Sequence, residues 1–238
     1  MHLSDAEHER LSSNAAAIFR RASSGTVDKP GPAVLRVASR LLAVLYFRWL
    51  RVDPTDSTHG RDRFILGDRA ALSVLYATLL EAGFIYTPPT LGDEPAFARL
   101  GSEALADVGA VDAGSEAFEN GLGVAVGVAI ASRAVGNGAR VVVLLDDHTL
   151  DEALESGVAT LAARAKLGNL VTLLATPVWR SPQRIRRQWE RIGWKVEAAA
   201  SDSVDDIART LDAVAVETDA ETPTLVVIVA TAEPVDNR

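Results

Sequence analysis

Apolar and polar positions fall into blocks along this chain, and the blocks become regular in its second half. Residues 5–22 read as a polar, alanine-containing helix, which the glycine and proline of SSGTVDKPGP (23–32) break. The run AVLRVASRLLAVLYFRWL (33–50) is so apolar that it predicts a buried helix. VDPTDSTHGRDR carries turn chemistry, FILGD predicts a short strand, and AALSVLYATLLEAGF predicts a helix that Gly83 ends. Residues 86–117 read as irregular, with Pro88, Pro89 and several glycines. Then NGLGVAVGVAIASRAV (120–135) predicts a helix apolar on nearly every side, hence buried. RVVVLLDD is the unbroken β-branched run of a parallel strand covered on both faces. Helix 151–166, strand 170–176, helix 182–192, strand 194–199, helix 203–216 and strand 224–232 complete the pattern.

Strands alternating with helices predict an α/β fold: a doubly wound, mostly parallel sheet with helices on both faces. No repeat or internal boundary interrupts it, so residues 1–238 read as one domain, with 1–22 as an N-terminal helical extension. In such a sheet ligands sit where strand C-termini meet helix N-termini. That directs attention to Asp146–His148, Ala175–Trp179, Gly67–Ala70 and the loop before residue 120.

Composition narrows the function classes. The net charge of −8, from 24 Lys and Arg against 32 Asp and Glu, disfavours nucleic-acid binding unless the basic residues share one face. No apolar stretch reaches the ~18 residues of a membrane span, and MHLSDAEHER lacks the pattern of a secretory leader. With 0 cysteines, disulfides, thiolate metal sites and cysteine nucleophiles are excluded, which fits a cytoplasmic setting.

The residues at those strand ends resemble the N-terminal, diphosphate-binding half of transketolases. The family frame of strand, GDG, acidic helix, K-L-G/D-N-L and strand is similar to VVVLLDDHTLDEALESGVATLAARAKLGNLVTLLATP, with KLGNL (166–170) a direct match. DPT…RDRFIL (53–66) followed by ALSVLYATLLEAGF resembles the family's NPT…RDRFVLSKGHAS..LYA. ENGLGVAVGVAIA resembles LGQGLSVAVGMALA, IGWKVE (192–197) the GW element, and PTLVVIVATA the closing strand. The resemblance covers roughly residues 20–232 and implies the thiamine-diphosphate-binding fold. It also implies a split system: the chain stops where the family's first domain stops, and a second-half subunit would supply the aminopyrimidine side.

Carried over position by position, the resemblance implies a changed site. The family holds Mg²⁺, and through it the diphosphate, with the Asp of GDG and an Asn about thirty residues on. Asp147 keeps the first, but Asp146 and His148 replace the glycines that let backbone approach a diphosphate. Pro177 stands at the Asn position, Trp179 where a small residue is expected, and the stretch from Pro177 to Trp194 is short. The His of SKGHA falls on Ala70, next to Arg69, and that of SGHPG near Thr26 or Lys29. The turn GSLGQG becomes Glu116–Gly121, placing Phe118 and Glu119 in a polyanion loop.

These departures predict a remodelled, plugged pocket in which Asp146 or Asp147 pairs with Arg69, with no cofactor bound. The expectation is then a non-catalytic structural or regulatory subunit, paired as a homodimer, with a transketolase C-terminal-half subunit, or with both. The alternative is a genuine thiamine-diphosphate- and Mg-dependent ketol transferase subunit that retains Asp147 and Glu152 and is active only with that partner. A third reading retunes the pocket to another small anion through Arg69, Lys29 and His148. Among lesser signals, Asp146, Asp147, His148, Asp151 and Glu152 read either as a divalent-metal cluster or as acids favoured at a helix N-terminus. Gly121, Gly123 and Gly127 read as close helix packing rather than a dinucleotide fingerprint. RIRRQWER (184–191) reads as a phosphate or RNA grip or a solvated face, Trp194 as core, and Trp179 and Trp189 as candidate surface aromatics.

Overall fold

The computed structural model describes residues 3–23, 31–54, 60–85, 111–112, 120–176, 181–200, 202–214 and 221–229. Helices α1 (Asp5–Ser23) and α2 (Pro32–Val44) come first, and α2 runs on through a π-helical turn, Leu45–Trp49. Strand β1 (Arg63–Leu66) leads through a short 3-10 turn, Arg69–Ala71, into α3 (Leu72–Glu81). Then follow α4 (Gly121–Val135), β2 (Val141–Leu145), α5 (Asp147–Glu155), α6 (Val158–Arg164) and β3 (Leu170–Thr176). The last elements are α7 (Pro182–Arg191), β4 (Lys195–Ala200), α8 (Val204–Ala213) and β5 (Thr224–Val229). The strands form one parallel sheet in the order β1-β2-β3-β5-β4.

The unbroken apolar strands follow from burial on both faces, and their period-2 alternation sorts the core into two layers. Phe64, Leu66, Val142, Leu144, Val171, Leu173, Val226 and Ile228 pack under α1, α2, α3 and α8. Ile65, Val141, Val143, Leu145, Leu170, Leu174, Leu225 and Val227 pack under α4, α5, α6 and α7. The α/β expectation therefore holds. No helix among the described residues is long and apolar enough to cross a membrane.

Three details differ from the sequence reading. The helix expected over 151–166 starts at Asp147 and breaks at Gly157, whose φ of +78° lies in the left-handed region that glycine tolerates. Helix α4 is not buried all round: Leu122, Ala125, Val126, Ala129 and Ser132 form one inward stripe, while Gly127, Ala131 and Ala134 are exposed, Ile130 at 45% and Val135 at 76%. A helix on a sheet needs only one stripe for the core, whatever its opposite face is made of. Trp189, expected at the surface, is fully buried and meets Trp194 edge-on at 4.7 Å, because Ile185 and Trp189 are the inward i, i+4 pair of α7. Trp194 is core as expected, and its indole N–H donates to the Ala159 carbonyl at 2.7 Å. Arg184, Arg187 and Arg191 face solvent.

Two family-like motifs prove to be structural. In KLGNL, buried Asn169 donates to the Ala129 carbonyl at 3.1 Å, fastening α4 to the start of β3. In RDRF, Asp62 is fully buried. It accepts from the Arg51 backbone N–H (2.8 Å), Arg51 Nη2 (2.9 Å), the Arg140 backbone N–H (3.0 Å) and Arg140 Nε (2.8 Å). Arg140 also lies over the Trp49 ring at 4.1 Å. The flanking Arg61 and Arg63 both grip Asp112, at 2.7 and 2.9 Å. Burial alone would raise the Asp62 pKa, but the Arg140 and Arg51 donors outweigh it and hold the carboxyl below the ordinary aspartate value.

Removing one partner of a buried ion pair strands the other charges without compensation. Asp62→Ala should therefore cost about 3–5 kcal/mol in urea unfolding. Because the native pKa is depressed, the wild-type advantage should be complete at neutral pH and vanish only in acid, as pH falls through the native pKa. A loss below about 1 kcal/mol, the value of an exposed pair, would show that this carboxylate does not hold the fold.

Candidate functional site

All five strands are parallel, so their C-termini share one edge, and there the chain places three aspartates. Asp68 follows β1, and Asp146 and Asp147 follow β2. Asp146 is the N-cap of α5: its Oδ1 accepts the Thr149 backbone N–H at 2.7 Å, and the Asp146 N–H donates back to Thr149 Oγ1 at 3.1 Å. Its φ of −89° is open to any residue, so aspartate stands there without the strain that would call for glycine. Asp147 occupies the first position of the helix, where the dipole favours a carboxylate.

Asp68 lies in the Gly67–Ala70 segment to which the sequence directs attention, but its burial is not visible there. It is 4% exposed and caps the 3-10 turn through the Ala70 N–H at 2.8 Å. Burial pushes its carboxyl up to about 6, and the negative charge of Asp146 and then Asp147 adds to the rise. Beside it, backbones meet closely: a Cβ on Gly67 would lie 2.6 Å from Leu145 Cδ2, and one on Gly121 would lie 3.0 Å from Gly67 Cα. Gly121 thus serves close packing, whereas Gly127 faces open space. A cleft of about 360 Å³ lies between the N-terminus of α4 (Asn120–Gly123) and Thr149 and Glu152 of α5 with its C-cap Ser156.

The remaining expected site residues divide sharply. Arg69 and Ala70 are exposed on the 3-10 turn, and no Arg69 ion pair with Asp146 or Asp147 forms among the described residues. Asp146 is engaged in its own helix cap instead. The His148 side chain is 77% exposed and its Nδ1 sits 3.5 Å from Glu152 Oε1, so it fills no pocket. Phe118, Glu119, Pro177 and Trp179 lie outside the described residues, as do Glu116, Thr26 and Lys29.

No group of three or more His, Cys, Asp or Glu among the described residues is arranged to hold a metal by itself. Mg²⁺ does not require one, since it is typically held by one or two carboxylates, waters and the phosphates of its ligand. Asp68, whose carboxyl is raised to about 6 by burial first and by the charges of Asp146 and Asp147 after it, shares this edge with two further carboxylates, the ligand type that a hard divalent cation takes. Asp147, at the first position of α5, offers one such carboxylate.

Fold and site define an α/β protein with a carboxylate-lined ligand edge, and comparison with known proteins gives the family. Residues 15–233 match the family described as transketolase, thiamine diphosphate binding domain, and the chain belongs to that family. It is 29% identical over 182 residues to one subunit of the apulose-4-phosphate transketolase of Phocaeicola vulgatus, covering 71% of this chain and 64% of that one. It is 28% identical over 223 residues to the protein of the same name from Actinobacillus succinogenes, covering 87% and 80%. Human transketolase is 26% identical over 72% of this chain, which spans 29% of that enzyme. Among solved structures, a Pichia stipitis transketolase superposes with a TM-score of 0.69 over 95% of this chain and 36% of its own, at 21% identity. A Campylobacter jejuni transketolase gives 0.67 at 17% identity, over 96% of this chain and 38% of its own.

Membership overturns one expectation from the sequence. The inference of no cofactor conflicts with a family whose defining domain binds thiamine diphosphate. The Asp146 side chain is turned into a helix cap and the His148 side chain into solvent.

The raised Asp68 pKa has a measurable consequence. A native carboxyl above its unfolded value favours the folded state only where it is protonated, so stability falls as pH climbs from about 4 through 6. Asp68→Asn keeps the capping oxygen and should be more stable than wild type at pH 8. The gain is up to about 3 kcal/mol, the equivalent of moving a carboxyl from 3.8 to about 6. The two urea midpoints should converge below about pH 4. Equal stability across this range would show that Asp68 carries no such strain.

Proposed function

We propose that this chain is the diphosphate-side subunit of a split transketolase that uses thiamine diphosphate and Mg²⁺. The observation that carries the reading is Asp147, seated at the strand-end helix N-terminus where the family resemblance places its metal-binding aspartate. Two relatives of comparable span, each named as one subunit of a transketolase, support the split arrangement.

Bound there, thiamine diphosphate supplies the carbanion chemistry of ketol transfer between sugars. The chain's own residues do the holding. Asp147 would hold the Mg²⁺, whose charge would offset the carboxylates that otherwise repel a diphosphate. Asp146 fixes the first turn of α5 so that Asp147 points from a rigid element. The Gly67–Gly121 contact sets the start of α4 against the end of β1. The outward apolar stripe of α4, with Ile130 and Val135, is the surface we assign to a second copy or to the C-terminal-half subunit, which brings the aminopyrimidine side. The absence of cysteine accords with work in the cytoplasm.

One observation favours a second reading. Ala70, exposed where the resemblance implies a histidine at the reacting centre, fits a non-catalytic structural or regulatory subunit that still holds the cofactor. Activity separates the two. The chain mixed with the C-terminal-half subunit should transfer a ketol group only when thiamine diphosphate and Mg²⁺ are present, and neither subunit should do so alone. Asp147→Ala should lower kcat/KM by at least about a hundredfold, as loss of a charged metal ligand implies. A folded pair without cofactor-dependent transfer would overturn the catalytic reading, and full activity in Asp147→Ala would remove Asp147 from the site.

A further inference from the structure

A second cleft, of about 350 Å³, opens at the same edge of the sheet but at its far end, between α1, α2 and the N-terminus of α8. It lies beside β4, three strand positions from β2, and none of the residues discussed for the strand-end site lines it. Ser39 lines this cleft from the middle of α2. It is 1% exposed, and its hydroxyl has no hydrogen-bond partner. Buried hydroxyls are almost always satisfied, so an orphan beside a cavity points to something that enters it.

The rest of the lining is rich in donors. Ser203 is the N-cap of the ten-residue α8; its Oγ accepts the Asp206 N–H at 3.3 Å, leaving its own hydrogen to donate. The first-turn N–H groups of Val204 and Asp205 have no acceptor within the helix, and the dipole adds positive potential there, set against the first-turn acids Asp205 and Asp206, of which Asp206 pairs with Arg209. Ser12, Arg36 and Arg40 also face the cleft. Asp205 is engaged by His8 Nδ1 at 2.6 Å, and His8 Nε2 lies 3.4 Å from Ser12 Oγ. Asp202 is the one acid among the lining residues, set against two guanidiniums.

We propose that this cleft binds a phosphomonoester, with its phosphate at the N-terminus of α8 and its organic body against Ala15, Ala16 and Phe19. Three hydroxyls and two helix N–H groups, beside the guanidiniums of Arg36 and Arg40, which also have contacts of their own, Arg36 over the Phe19 ring at 5.8 Å, offer more donors than the two oxygens of a carboxylate accept. The three terminal oxygens of a phosphate match them, and helix N-termini favour such anions. The cleft is larger than inorganic phosphate requires, and its apolar wall accounts for the remaining space.

The test is calorimetry on the full chain at constant ionic strength without Mg²⁺, using inorganic phosphate and glycerol 3-phosphate as probes. Glycerol 3-phosphate should bind with a Kd of about 1 mM or tighter, and inorganic phosphate more weakly. Ser39→Ala should leave the urea midpoint unchanged or higher, since the hydroxyl it removes has no partner, and should weaken binding at least about fivefold. Arg40→Met, which keeps the stem and removes the charge, should weaken it at least about tenfold. Asp147→Asn should bind as wild type does. Undiminished binding in both cleft variants would overturn the proposal. So would the absence of heat at about 10 mM ligand, or a change confined to Asp147→Asn, such as the tighter binding expected when a repelling carboxylate is removed, which would put the anion at the strand-end site instead.

Discussion

The buried Asp62 carboxylate is the constraint from which the geometry of the strand-end site follows. It joins three segments that are distant in sequence: the exit from the π-helical turn through Arg51, the start of β1, and the start of β2 through Arg140. Both strands begin at this pin, so their register is fixed from the N-terminal side, with Arg63 opposite Val141 and Leu66 opposite Leu144. A slip of one residue would turn Phe64 and Val142 into the opposite layer, which the two-sided core forbids. The same register delivers Gly67 to the Leu144 carbonyl at 2.7 Å and sets Asp68 beside the Asp146–Asp147 turn. A charge network at one end of the sheet thus places the carboxylates at the other.

Those carboxylates work against the fold. Asp68 is buried near two like charges, so the native state at neutral pH contains repulsion that an amide would not. Sites that bind cations commonly carry such a cost, because the charge that attracts the ligand destabilises the protein without it. The chain limits this cost locally: Asp146 is absorbed by its capping box, Asp147 lies at a favourable helix dipole, and Asp68 accepts backbone N–H groups. Helix α4 completes the division of labour, packing one face on the sheet and presenting Ile130 and Val135 outward.

Much of the fold could be read from residue patterns. RVVVLLDD and LVTLLAT announced buried parallel strands because a strand covered on both faces has no polar side to show. KLGNL and RDRF marked the family, but their work here is structural, which no spacing reveals: an acid looks the same in sequence whether buried between arginines or solvated. For that reason the burial of Asp62 and Asp68 was not legible, while the exposed His148 and Arg69 attracted notice. The start of α5 was misplaced because its cap is an Asp146–Thr149 pair inside what reads as the end of a strand. Trp189 was legible in principle, since Ile185 four residues before it gives the inward stripe of α7. The all-apolar α4 misled in the other direction, because composition shows what can be buried but not which face the sheet covers.

On the proposed function, the strand-end carboxylates hold a metal-borne diphosphate when the second half of the site is present. The most direct measurement is calorimetric titration of thiamine diphosphate with Mg²⁺ into the full chain mixed with the C-terminal-half subunit. The account predicts binding with a Kd in the micromolar range, about −8 kcal/mol, that disappears when Mg²⁺ is chelated. A stable complex of the two subunits that takes up no cofactor at millimolar concentration would contradict it.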